Sequence, residues 1–106
     1  MKTRIEKDRG RALVVMPPKM FRNESGELSR TVNELARRGV KEIILDMRKT
    51  TMMDSASLGV LLFSRKHLGP QGVEIALANT DGYVRSLIEN AGLSRLFKLI
   101  DYGEDA

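Results

Sequence analysis

The chain predicts an α/β domain: a mixed β-sheet of about five strands with interspersed helices, in the order β-β-α-β-α-β-α-β. Three observations carry this. The runs at 11–16, 41–47 and 73–78 are short, apolar and mostly rich in β-branched residues, as strands buried on both faces are. Between and after them lie stretches of helical length whose apolar residues recur at intervals of three and four. Gly and Pro stand at the joints: Pro17-Pro18, Gly39, Gly69-Pro70-Gln71-Gly72 and Gly92. Strands alternating with helices imply a partly parallel sheet with right-handed crossovers.

Residues 3–7 and 11–16 read as two strands parted by the turn signal Asp8-Arg9-Gly10. Pro17-Pro18 ends the second, because proline has no N–H for a ladder. Lys19 to Asn23 reads as an irregular connection. A helix is expected from about Ser25, with Leu28, Val32 and Leu35 on one face. Arg37 and Arg38 suit the negative end of its dipole and Gly39 stops it. Residues 41–47 form the next strand, and 48–53 a loop. Asp54 or Ser55 then caps a second helix running to about Leu68. Residues 73–78 make the fourth strand, and Asn79-Thr80-Asp81 supplies caps for a third helix buried through Val84, Leu87, Ile88 and Ala91. Residues 96–100 are the last strand, and Asp101 to Ala106 a polar, fraying tail.

At 106 residues this is one domain with one core, spanning residues 1–106. It has no Cys, which removes disulfides and thiolate metal sites. Its N-terminus lacks the apolar stretch of a signal peptide, and its longest apolar runs are about five residues. A cytoplasmic domain follows. The net charge of +4 comes from 18 basic and 14 acidic residues scattered along the chain. No aromatic residues interleave with them as base-stacking requires, so a solvated surface, or a face for an acidic protein, is expected rather than a nucleic-acid interface.

Enzymatic chemistry finds little support. His67 is the single histidine and falls at the end of the second helix, where it suits the surface. No metal set, cofactor motif, phosphate-cradling Gly-rich loop or nucleophile triad can be assembled. The candidate site is instead Met53-Asp54-Ser55-Ala56-Ser57-Leu58. A helix start presents unpaired N–H groups and positive dipole character, so a seryl phosphate would be well placed there. Asp and Ser also cap helices with no further purpose. Of Met52 and Met53, one is expected to seal the core, while an exposed Met would give an adaptable contact. Gly59 within the helix costs about 1 kcal/mol against Ala and calls for close packing on the sheet or on a partner.

The segments Ile43-Ile44-Leu45-Asp46-Met47, Met53-Asp54-Ser55 … Leu58-Gly59-Val60-Leu61-Leu62 and Gly92-Leu93 … Leu96-Phe97-Lys98-Leu99-Ile100 resemble STAS domains, named for sulfate transporters and anti-sigma factor antagonists. The likeness is strongest to single-domain bacterial antagonists, including regulators of motility and biofilm switching, and is good over residues 41–100. It implies a partner-switching protein. The unphosphorylated form binds an anti-sigma factor or serine kinase, phosphorylation blocks the binding, and a cognate phosphatase restores it. Carried over by position, Met53, Asp54, Ser55, Ala56, Ser57 and Leu58 form the partner-binding surface, with the adjacent face of the second helix.

Two departures from that pattern stand out. The phosphorylated serine of the family falls on Ala56, and the family's Gly-x-apolar-Asp falls on Lys19-Met20-Phe21-Arg22. Ala56 is then an engineered replacement of serine, a natural phosphorylation-blind state, or a sign that Ser57 or Ser55 takes the phosphate. The resemblance also admits a STAS subunit of a transport or sensory complex with no phosphate cycle. From a different class, a small basic nucleic-acid binder would show strongly salt-dependent affinity. Nothing in the sequence demands a dimer, so a monomer is expected.

Overall fold

The structure, a computed structural model, describes residues 1–103. Of the expected polar tail, Asp101 to Gly103 carry no strand or helix, and residues 104–106 lie outside the described residues. The main sheet has five strands: β1 (Lys2–Glu6), β2 (Arg11–Val15), β4 (Glu42–Asp46), β6 (Glu74–Ala78) and β7 (Lys98–Ile100), in the order β1-β2-β4-β6-β7. Only β1 runs antiparallel; the pairs β2–β4, β4–β6 and β6–β7 are parallel. Helices α1 (Arg22–Arg37), α2 (Ser55–Leu68) and α3 (Gly82–Asn90) make the three crossovers. The expected class and mixed sheet, and the expected order of the five main-sheet strands and three helices, are those observed.

All three helices lie on one face. Alternate strand residues Ala12, Val14, Ile43, Leu45, Ile75 and Leu77 meet Leu28, Val32 and Leu35 of α1, Leu61 and Leu68 of α2, and Val84 and Ile88 of α3 in one buried cluster. Burial of each such side chain contributes about 1.5–3 kcal/mol, so the Leu28-Val32-Leu35 stripe alone anchors α1 firmly. The opposite face carries a second, smaller cluster of Leu13, Ile44 and Ala78.

Four expectations need correction. Helix α1 begins at Arg22, three residues before Ser25, because the Glu24 carboxylate accepts from the Phe21 N–H at 3.0 Å and closes the first turn. Ser25 sits inside that turn, donating its hydroxyl to the Arg22 carbonyl at 2.8 Å. The two presumed loops hold short strands, β3 (Lys19–Met20) and β5 (Met52–Met53), which pair in parallel as a separate ribbon. Ala91 is exposed, and Leu93 takes its place in the core from a 3-10 turn beyond Gly92, whose φ of +77° reverses the chain. The last strand shortens to Lys98–Ile100, with Phe97 buried ahead of it.

Candidate docking site at the start of the second helix

The site is built from two neighbouring chain segments that the small ribbon stitches together. Prolines 17 and 18 donate nothing, but their carbonyls accept. Thr50 Oγ1 donates to the Pro17 carbonyl at 2.9 Å, and the Thr51 N–H to the Pro18 carbonyl at 2.8 Å. Met20 then pairs with Met53, and the Met20 carbonyl receives two donors: the Asp54 N–H at 3.1 Å and the Ser57 hydroxyl at 2.7 Å. The start of α2 is therefore fixed to the entry of α1 by main-chain and hydroxyl hydrogen bonds to these carbonyls.

Asp54 is the N-cap, with extended backbone, and its Oδ1 accepts from the Ser57 N–H at 3.0 Å. The next two N–H groups, of Ser55 and Ala56, have no intrahelical partner, as at any helix start. Ser55 is exposed and Ala56 half-buried, so both stand at the surface where that positive dipole end opens. Leu58 is half-buried beside them. Ser57 is fully buried. Its hydroxyl serves the fold, and the one-residue step along the helix from Ala56, about 100°, turns it inward.

Met53 also faces the core, at 4% exposure, whereas Met52 is 42% exposed. Strand alternation decides which of the two reaches the surface: Met52 does, and Met53, expected on the partner-binding surface, points into the core. Three exposed aromatic side chains escaped the sequence reading: Phe21 at the mouth of α1, Phe63 on α2 and Tyr83 on α3. The signal for Phe63 was present in the spacing. Ser55, Gly59, Phe63 and His67 recur every four residues, and all are exposed along one line of α2. Phe63 is 63% exposed, its ring stacked on His67 with centroids 5.7 Å apart. His67 lies in the last turn, at the surface.

Gly59 has no internal reason for its lack of a side chain. A Cβ built there meets no heavy atom within 4 Å outside its own helix among the described residues. Close packing on the sheet is thereby excluded. Chemically the surface is a helix N-terminus that exposes the Ser55 side chain, rimmed by Phe21 and Met52 and continued along α2 by the exposed Gly59 and the Phe63 ring. Among the described residues no three His, Asp or Glu side chains gather as a metal site, and no helix is long and apolar enough to cross a membrane.

Comparison with known proteins gives a consistent picture. The STAS domain family model matches residues 4–106. A STAS-domain containing protein of Pseudomonas aeruginosa is 36% identical over 59 residues, which span 56% of this chain and 58% of that protein. The anti-sigma F factor antagonist of Paenibacillus polymyxa is 26% identical over 98 residues, 92% of this chain and 84% of the relative. Among solved structures, the Thermotoga maritima protein TM1081 superposes with a TM-score of 0.83 at 22% identity, covering 96% of this chain and 86% of its own. The Bacillus antagonist SpoIIAA in its phosphorylated form gives a TM-score of 0.76 at 16% identity, covering 97% and 91%.

Proposed function

Because this chain belongs to the STAS domain family, we propose that it is a partner-switching regulator in the cytoplasm that acts by binding rather than by catalysis. Its partner is an anti-sigma factor with serine-kinase character, or a related kinase–phosphatase regulator. The docking surface is the start of α2 with Asp54, Ser55, Ala56 and Leu58 at its centre, extended by Met52, Gly59 and Phe63. Met53 and Ser57 hold this surface from beneath.

The observation that carries the reading is the division of labour along α2. Ser57, one of the two serines that flank Ala56, is sequestered by the Met20 carbonyl. Ala56, at the site itself, stands at the surface without an oxygen. A phosphate on residue 56 would bring about −1.5 to −2 charge into the contact. Without it, this chain stays in the binding-competent state, and a cognate phosphatase acts only on serine-bearing counterparts. The existence of SpoIIAA structures in both unphosphorylated and phosphorylated forms supports the relevance of that chemistry to the fold.

A binding titration with a serine kinase of the anti-sigma factor type from the same organism tests the reading. The chain is expected to bind it, and Ala56→Glu, which places one negative charge at the phosphosite, to bind at least tenfold more weakly, about 1.4 kcal/mol. Equal affinity of the two would reject residue 56 as the centre of the contact.

A further inference from the structure

The helix-free face of the sheet raises the question of what seals it. Leu13, Ile44 and Ala78 are buried there, packed against Ile100 and Tyr102. Tyr102 follows β7 at one sheet edge, yet its hydroxyl accepts from Arg4 Nη2, on β1 at the other edge, at 2.9 Å. The chain after β7 thus folds back along the sheet, and Arg4 reaches across to meet it.

The main chain of Tyr102 is held as well. Its N–H donates to Asn79 Oδ1 at 2.9 Å, and its carbonyl accepts from Asn79 Nδ2 at 3.1 Å and from the Arg48 guanidinium. Asn79 Nδ2 also donates to Asp46 Oδ1 at 3.0 Å, the oxygen that accepts from the Arg48 N–H at 3.0 Å. Asn79 has φ +59°, a left-handed conformation that Asn tolerates better than most residues, and its own N–H donates to the Ile100 carbonyl at 2.9 Å. One amide side chain therefore joins the end of β4, the end of β6 and the segment after β7. Arg48, held at both its main chain and its guanidinium, opens the segment that leads to β5 and Asp54.

We infer that Asn79 and Tyr102 form a latch that positions residues 48–53 and, through them, the start of α2. They are positioning residues for the proposed docking surface, on which this role rests; the latch itself is a property of the isolated chain. Residues 50, 51 and 52 report on it directly, since their N–H groups donate to the carbonyls of Met47 and Pro18.

Hydrogen exchange on the full chain tests the latch. Asn79→Gly keeps the left-handed turn and removes the bridging amide. It is expected to speed exchange at residues 50–52 about tenfold, the loss of roughly one hydrogen bond, while α1 stays within about twofold. Tyr102→Phe keeps the ring and all three main-chain bonds and should stay within about twofold at all these sites. Unchanged exchange at 50–52 in Asn79→Gly, or equal acceleration in α1, overturns the latch. The same titration with a serine kinase of the anti-sigma factor type separates the two claims. Faster exchange with weaker binding supports both, whereas faster exchange with unchanged affinity leaves the latch standing and overturns its role in docking.

Discussion

The Ser57 hydroxyl donates to the Met20 carbonyl at 2.7 Å in a fully buried setting, and so ties the first turn of α2 to the strand that precedes α1. This bond makes Ser57 a structural residue although it lies next to the proposed phosphosite position, residue 56. Ser57→Ala removes the bond but leaves the Met20 carbonyl with its second donor, the Asp54 N–H. The expected cost is about 1 kcal/mol, read as a fall in Tm of roughly 4–8 °C.

Asp54 caps α2 through its side chain, so Asp54→Ala should destabilise by about 0.5–2 kcal/mol, and Asp54→Asn by much less, because the amide oxygen can still accept from the Ser57 N–H. Denaturant unfolding of the three proteins separates them. Equal losses for Ala and Asn would mean that the cap bond contributes nothing.

Gly59 and Phe63 should show opposite balances of stability and binding. Gly59→Ala meets no clash and gains helix propensity, so it is expected to stabilise by about 0.5–1 kcal/mol while weakening partner binding. Phe63→Ala should leave stability within about 0.5 kcal/mol, since the ring is mostly exposed, yet cost more than 1 kcal/mol in affinity as an aromatic anchor. Paired calorimetric and denaturation measurements decide it.

The Glu6–Arg11 pair gives a pH signature. The hydrogen bond from Arg11 Nε at 2.7 Å holds the Glu6 carboxyl below the usual carboxylate range and pushes the Arg11 guanidinium up. A carboxyl whose folded pKa is depressed contributes stability above its unfolded pKa and loses it as pH falls through the folded value. A carboxyl-carbon NMR titration should find Glu6 below the glutamate range in this chain and back within it in Arg11→Ala.

The fold was legible because its signals are local and strong. The strand at 41–47, the stripe Leu28-Val32-Leu35 and the Asp54 cap each follow from a few neighbouring residues. What escaped depends on partners distant in sequence. The two-residue strands at Lys19–Met20 and Met52–Met53 exist because 17–20 and 50–54 meet in space, and no window of sequence encodes that meeting. The same contact decides that Met53 and Ser57 turn inward and Met52 and Ser55 outward. Tyr102 was assigned to a frayed tail because its partners, Arg4, Arg48 and Asn79, lie 23 to 98 residues away. Gly59 stands out in the sequence, but its open surroundings depend on how α2 packs.

The most direct test of a phosphorylation-blind switch is intact-mass analysis of this chain and of Ala56→Ser after incubation with ATP and a serine kinase of the anti-sigma factor type from the same organism. The account predicts that Ala56→Ser gains one phosphate and this chain gains none. A phosphate on the unaltered chain, which would have to sit on Ser55 or another surface hydroxyl, would contradict it.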